Sequence, residues 1–206
     1  MREQQLIQSA PRNSVRTQMR SHYLGALFAI LMGFAETACG QIMLEVKFIG
    51  LSGHLRRNDN PHLYRLKLDK KGRLAGHIGL AFGIEYFLLE NCLSVKFGQA
   101  FMLDCGFQPA GFTHLGLRLY ATAGRHSFAI GNGPTFFYRR DWSLLPNYHD
   151  EGLFRRTRNY QHIFFWYAGE VEYNYAIPNR PDFSLTFIPG PPVFYTFAPG
   201  LRWQAH

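Results

Sequence analysis

The sequence predicts an all-β fold, an eight-stranded antiparallel up-and-down transmembrane β-barrel with a charge-balanced, side-chain-filled lumen. Three observations carry this. Long stretches alternate apolar residues with small or ionic ones, the period of two that belongs to strands. The face opposite the greasy one is made of glycine, alanine and charged residues, which a narrow lumen accepts when the apolar face meets lipid. The composition agrees, with 16% aromatic residues and only 17% charged among 206.

Residues 1–40 have the pattern of a secretory signal peptide. Leu24 to Ala35 is an apolar run of twelve residues with Arg20 before it and the small residues Ala38 and Gly40 after it. That run is shorter than the ~20 residues a spanning helix needs. Gln41 then becomes the mature N-terminus, with the barrel over 41–206, and Met19 is an alternative start because the signal from there is compact. Cys39 raises lipoprotein processing, but Glu36 stands where such signals carry leucine. The whole chain has 22 Lys and Arg against 14 Asp and Glu, a formal charge of +8; removing Arg2, Arg12, Arg16, Arg20, Glu3 and Glu36 leaves 18 against 12, or +6. No phosphate loop, zinc spacing or basic helical stripe accompanies this charge, so no nucleic-acid partner is expected. Lipid head groups and lipopolysaccharide phosphates are.

The strands follow in order. Ile42, Leu44, Val46 and Phe48 face lipid in the first, with Glu45, Lys47 and Ile49 inside. A long basic connection, about 51–73, contains residues 63–69 as a short strand projecting beyond the membrane. The second strand turns Ile78, Leu80, Phe82, Ile84 and Tyr86 outward against His77, Gly79, Ala81, Gly83 and Glu85. Glu90-Asn91 makes a tight turn. The third has Leu93, Val95, Phe97, Phe101 and Leu103 outward, Lys96 and Asp104 inward, and Gln99 as an awkward lipid-facing residue. The central hairpin, 112–140, turns at Ala123-Gly124-Arg125 and puts Leu115, Leu117, Leu119, Phe128 and Ile130 outward, with His114, Arg118, Thr135 and Arg139 inward. After a second long connection, 142–159, the sixth strand is expected to send Ile163, Phe165, Tyr167 and Val171 to lipid and Phe164, Trp166, Glu170 and Glu172 inside. Phe183 to Phe187 and Val193 to Trp203 supply the last two.

Eight strands, two short turns at one end and two long connections at the other resemble the small outer-membrane barrels of the OmpA/OmpX-like class, including those of Bacteroidota, over Gln41 to Trp203. The resemblance rests on strand rhythm, loop asymmetry and the aromatic last strand. It implies residence in the outer membrane of a Gram-negative bacterium and a porin-like architecture. That class usually ends on a terminal aromatic, whereas here Gln204, Ala205 and His206 follow Trp203.

Inward positions collect Glu45, Glu85, Asp104, Glu170 and Glu172 with Lys47, Lys96, Arg118, Arg139 and Arg202, five acids facing five bases, as a closed narrow barrel needs. A plugged structural lumen is expected in place of a pore. Arg118 and Arg139 are the expected counter-ions of Glu170 and Glu172. Cys92 and Cys105, about 40 Å apart if they flank one strand at ~3.3 Å per residue, are beyond disulfide reach.

Chemistry has weaker signals. Small barrels that remove or transfer acyl groups on lipid A make an enzyme the alternative, yet the adjacent His126-Ser127 points to two faces of a strand, and the His-x-Ser pattern of PagL-like deacylases is missing. No catalytic residue, cofactor or metal site is assigned, since His77 and His114 lack convergent ligands. The binding expectation falls on the basic long loops, through Arg56, Arg57, Arg65 and Lys67 in the first and Arg139, Arg140, Arg155, Arg156 and Arg158 in the other. They contact lipopolysaccharide phosphates or an envelope protein partner. A soluble lipocalin-like barrel is the rival fold, with the same alternation turned inside out.

Overall fold

The computed structural model describes residues 40–54, 60–150, 152–190 and 194–205. The signal segment, Cys39, Arg56 and Arg57 lie outside them. Among the described residues nine strands form, β1 Ile42–His54, β2 Leu74–Leu89, β3 Leu93–Leu103, β4 Pro109–Ala123, β5 His126–Arg140, β6 Arg155–Thr157, β7 Tyr160–Tyr175, β8 Asp182–Gly190 and β9 Phe194–Ala205. Each barrel strand pairs antiparallel with its sequence neighbour, β9 pairs with β1, and β5 passes over β6 to pair with β7. Eight strands therefore close the barrel. The three-residue β6 only extends β7 at its loop end.

The faces are those of a barrel with its apolar side out. Leu117, Ile130 and Trp166 are 57%, 66% and 69% exposed, whereas Arg118 and Glu172 are fully buried. This is the reverse of a lipocalin, whose apolar residues line the interior. Gln99 is satisfied on the outer face. Its side chain donates to Tyr138 Oη at 2.9 Å and accepts from Thr113 Oγ1 at 2.7 Å.

Tight turns close one end. Asn91 and Gly124 take positive φ there, at 55° and 61°, which asparagine tolerates and glycine adopts freely. The long connections meet at the other end, where Asn60 donates to the His149 carbonyl at 2.9 Å and accepts from its amide at 2.8 Å. Tyr64 packs edge-on against Trp142, and Trp142 against Tyr148. The expected projecting strand over 63–69 does not form. Pro61 opens a 3-10 turn, Pro61–Leu63, and a single bridge joins Lys67 to Ala75. Tyr64 is drawn under the cap instead.

Two bulges change the phase of the alternation. In β1, Glu45, Lys47 and Ile49 are buried, yet beyond Gly50 it is Ser52 that turns in and Leu51 that turns out. The ladders to β2 and β9 shift register there, as an isolated glycine inside a strand often marks. In β7 the pairing steps from Gly133–Ala168 to Thr135–Phe165, inserting an extra residue at Trp166-Tyr167. Both are exposed. The expected facing of the loop-end part of β7 is thus inverted: Phe164 and Trp166 are outside, while Ile163 and Phe165 line the lumen.

Cys92 and Cys105 flank β3 and neither is in a disulfide, the first exposed and the second buried. Burial, reinforced by Asp104, pushes the Cys105 thiol well above its ordinary pKa. In folded 41–206 barrel at pH 8, a maleimide is expected to label Cys92 within minutes and Cys105 only after unfolding. Equal labelling rates would show that the cap does not cover Cys105.

Candidate functional site

The lumen is built in layers, and the middle layer is ionic. Four carboxylates (Glu45, Glu85, Glu170, Glu172) and four cations (Lys47, Lys96, Arg118, Arg202) make one connected set. Arg118 is its hub. Its guanidinium reaches Glu85 at 3.0 Å, Glu170 at 3.0 Å and Glu172 at 2.8 Å. Lys96 sits 2.6 Å from Glu45 and 3.2 Å from Glu170, Lys47 bridges Glu45 and Glu172, and Arg202 holds Glu85 at 2.8 Å. Remaining carboxylate lone pairs accept from Tyr120 at 2.6 Å, from Ser94 and from Thr186 at 2.8 Å. Arg118 and Arg202 both lie over the Tyr120 ring, each at 5.3 Å.

Glycines give this layer its room. Glu45 pairs across strands with Gly83, Lys47 with Gly200, Lys96 with Gly116, and Glu170 with Gly131. A methyl group at Gly83 would meet Glu45 Oε1 at 2.3 Å, and one at Gly131 would meet Glu170 Cγ at 2.8 Å.

Two of the ten expected lumen charges stand outside the ionic network, nearer the loops. Asp104 lies beyond β3 in the cap, where it accepts from Trp142 Nε1 at 2.7 Å and from the amides of Gly106 and Gln108. Burial raises its pKa against those hydrogen bonds. Arg139 is stacked between Trp142 and Phe154, at 4.2 and 3.9 Å, and donates to Gln161 Oε1 at 2.9 Å. It is a cap residue, neither a counter-ion of Glu170 and Glu172 nor part of an exposed basic rim. Both face the lumen at its loop end, as the alternation expected, but they stand above the ionic layer and not in it. Of the other loop cations, Arg65, Lys67, Arg140, Arg155, Arg156 and Arg158 are exposed at the loop end, and Arg156 pairs with Asp150 at 2.7 Å.

Between the ionic layer and the cap lies a cavity of about 320 Å³. Its walls are mainly apolar, including Ile49, Met102, Phe112, Phe137, Phe165 and Ile188, with Lys96 and Glu170 in its floor and Trp142 and Tyr64 in its roof. Sequence alternation missed it because the β7 bulge turned Ile163 and Phe165 the wrong way. A second, more polar space of about 340 Å³ lies toward the tight turns, lined by Phe87, Tyr120, Asn174 and Arg202. No residue lines both spaces.

The β1 bulge places Ser52 Oγ 2.6 Å from His77 Nε2, and His114 Nδ1 lies 2.6 Å from Thr135 Oγ1. Among the described residues His77 Nδ1 and His114 Nε2 have no hydrogen-bond partner. Ser52–His77 therefore lacks the carboxylate that orients a nucleophile's base. His126 and Ser127 occupy opposite faces near the tight turn, His126 Nδ1 meeting Tyr173 Oη at 2.8 Å outside. Among the described residues no cluster of three or more His, Cys, Asp or Glu could hold a metal ion.

A solved structure of similar fold is the solution structure of a de novo designed protein, TMB2.3, with a TM-score of 0.43 and 14% identity over 82% of this chain and 98% of the designed one. No protein-family model and no curated protein matches the sequence.

Replacing Arg118 with Met is expected to destabilise the barrel by about 3–5 kcal/mol, because Glu85, Glu170 and Glu172 lose their shared partner while buried. Urea unfolding in detergent micelles measures it. A loss below about 1 kcal/mol would mean that the other cations take over.

Proposed function

We propose that the chain is an integral outer-membrane β-barrel of a Gram-negative envelope, with a structural or interaction role at the cell surface. The observation that carries this is the continuous outward belt of apolar side chains on a closed sheet whose interior is ionic. Closed barrels are the one β-architecture that satisfies every ladder partner without water. Among the described residues no helix is long and apolar enough to cross a membrane, so any crossing is made by strands.

The loop end faces outward in this proposal, and its exposed Arg65, Lys67, Arg140, Arg155, Arg156 and Arg158 contact lipopolysaccharide phosphates or an envelope protein. The arginine guanidinium forks and the Lys67 ammonium suit phosphate oxygens. A structural role is supported over conduction by the packed ionic layer, which stands between two spaces with no lining residue in common.

Leu117→Arg tests the membrane placement. On a lipid face near the midplane it costs about 2–4 kcal/mol, whereas on a water-exposed surface it stays within roughly 0.5 kcal/mol. Refolding into lipid vesicles, followed by heat-modifiable gel migration, reads the difference. For the surface role, changing Arg140, Arg155, Arg156 and Arg158 together to Gln is expected to lower retention on immobilised lipopolysaccharide at least tenfold at low salt. Unchanged retention would remove the phosphate contact and leave the protein partner.

A further inference from the structure

The wall of the cavity has a seam. β7 pairs with β8 only from Val171 to Tyr175, and with β6 only from Tyr160 to His162. Among the described residues the edge between them has no ladder partner, although the other edge of β7 pairs with β5 along this stretch. The facing end of β8, Ile188 to Gly190, pairs with β9 alone. Pro189 lies there without an amide proton to offer. Its ring packs beside Gly169, which leaves Ile163 to Ala168, roughly 20 Å of strand at ~3.3 Å per residue, as the gap.

An unpaired strand edge is costly against hydrocarbon and is tolerated where protein buries it or water reaches it. Ile163, Phe165, Ala168 and Pro189, which flank this edge, all line the 320 Å³ space. Ions close that space below. On the loop side the buried Trp142 and Tyr64 lie over part of it. Among the described residues the unpaired edge offers a sideways route, bordered outside by the exposed Phe164, Trp166 and Tyr167.

We propose that the cavity is a binding site for a single acyl chain, admitted from the bilayer through the β7–β8 seam. This rests on the membrane placement proposed above. Three features select the ligand. The walls are apolar, so the ligand is apolar along most of its length. The volume stands at the small end of the range for ligand pockets, about 300–1,000 Å³, which suits one narrow chain and excludes a whole two-chain lipid. The two buried ring nitrogens without protein partners, His77 Nδ1 and His114 Nε2, can bond a carbonyl or hydroxyl carried by the chain.

The test is photocrosslinking in vesicles of phosphatidylcholine, with a diazirine on the acyl chain and adducts mapped by mass spectrometry. One arm delivers the chain as free fatty acid and the other as phosphatidylcholine, so the arm that labels the lumen identifies the source. Adducts are expected on the inward residues Met102, Phe112, Phe137 or Phe165, alongside outward adducts on residues such as Ile130. Ala198→Phe, which fills the cavity from the wall of β9, should reduce inward adducts at least fivefold and leave outward ones unchanged. Outward adducts without inward ones in both arms would overturn the acyl-chain site while leaving the membrane placement intact. Absence of outward adducts would overturn the membrane placement, and the bilayer route with it.

Discussion

Mutual neutralisation of eight buried charges is the constraint on which the rest of the molecule depends. The charges come from β1, β2, β3, β4, β7 and β9, so no hairpin completes the set by itself. The two other barrel strands contribute small groups, Gly131 from β5 and Ser184 and Thr186 from β8, where bulk would displace a carboxylate. Such a layer adds little net stability over apolar packing, because desolvation of each ion offsets most of the attraction. Its effect is specificity. Only the closed arrangement leaves no ion without a partner.

The lumen changes character along its axis. In the middle it is ionic and filled; toward the loops it becomes apolar and hollow, under a lid of Tyr64, Trp142 and Arg139. A pore would need the opposite, a polar wall along its length. The hollow part coincides with the two bulges and the proline-bearing end of β8, where strand pairing is least regular. The apolar hollow thus goes with irregular pairing, while the space on the tight-turn side is bounded by more polar groups such as Asn174 and Arg202.

Much of this was legible in the alternation. The outward belt, the two tight turns and the inward positions of Glu45, Lys47, Glu85, Lys96, Arg118, Glu170, Glu172 and Arg202 follow from a period of two applied strand by strand. It stopped working where the period itself is broken. Beyond Gly50 and across Trp166-Tyr167 an extra residue reverses inside and outside, so Ser52, Ile163 and Phe165 could not be placed by counting. Gly50 was a usable sign of the first bulge. The second sits in an aromatic run, Phe164 to Tyr167, apolar on both faces, which conceals its own phase. Asp104 and Arg139 stand where strands give way to loops, and there tertiary partners such as Trp142 decide direction.

The pairing of Glu45, Lys47, Lys96 and Glu170 with glycines has a consequence for barrel geometry. A slip of two residues between neighbouring strands keeps every apolar side chain on the lipid side, so hydrophobicity cannot oppose it. The ions can. From its place opposite Gly83, Glu45 would slide against Glu85; Lys47 would leave Gly200 for Arg202, and Lys96 would leave Gly116 for Arg118. In that direction of slip like charges would meet where a glycine had left space, whereas the opposite slip would set these ions against Ala81, Ala198 and His114. Strand stagger summed around the circle is the shear number, which with eight strands fixes the radius. The spacing of charge and glycine therefore restrains the width of this barrel against one sense of slip at these strand pairs.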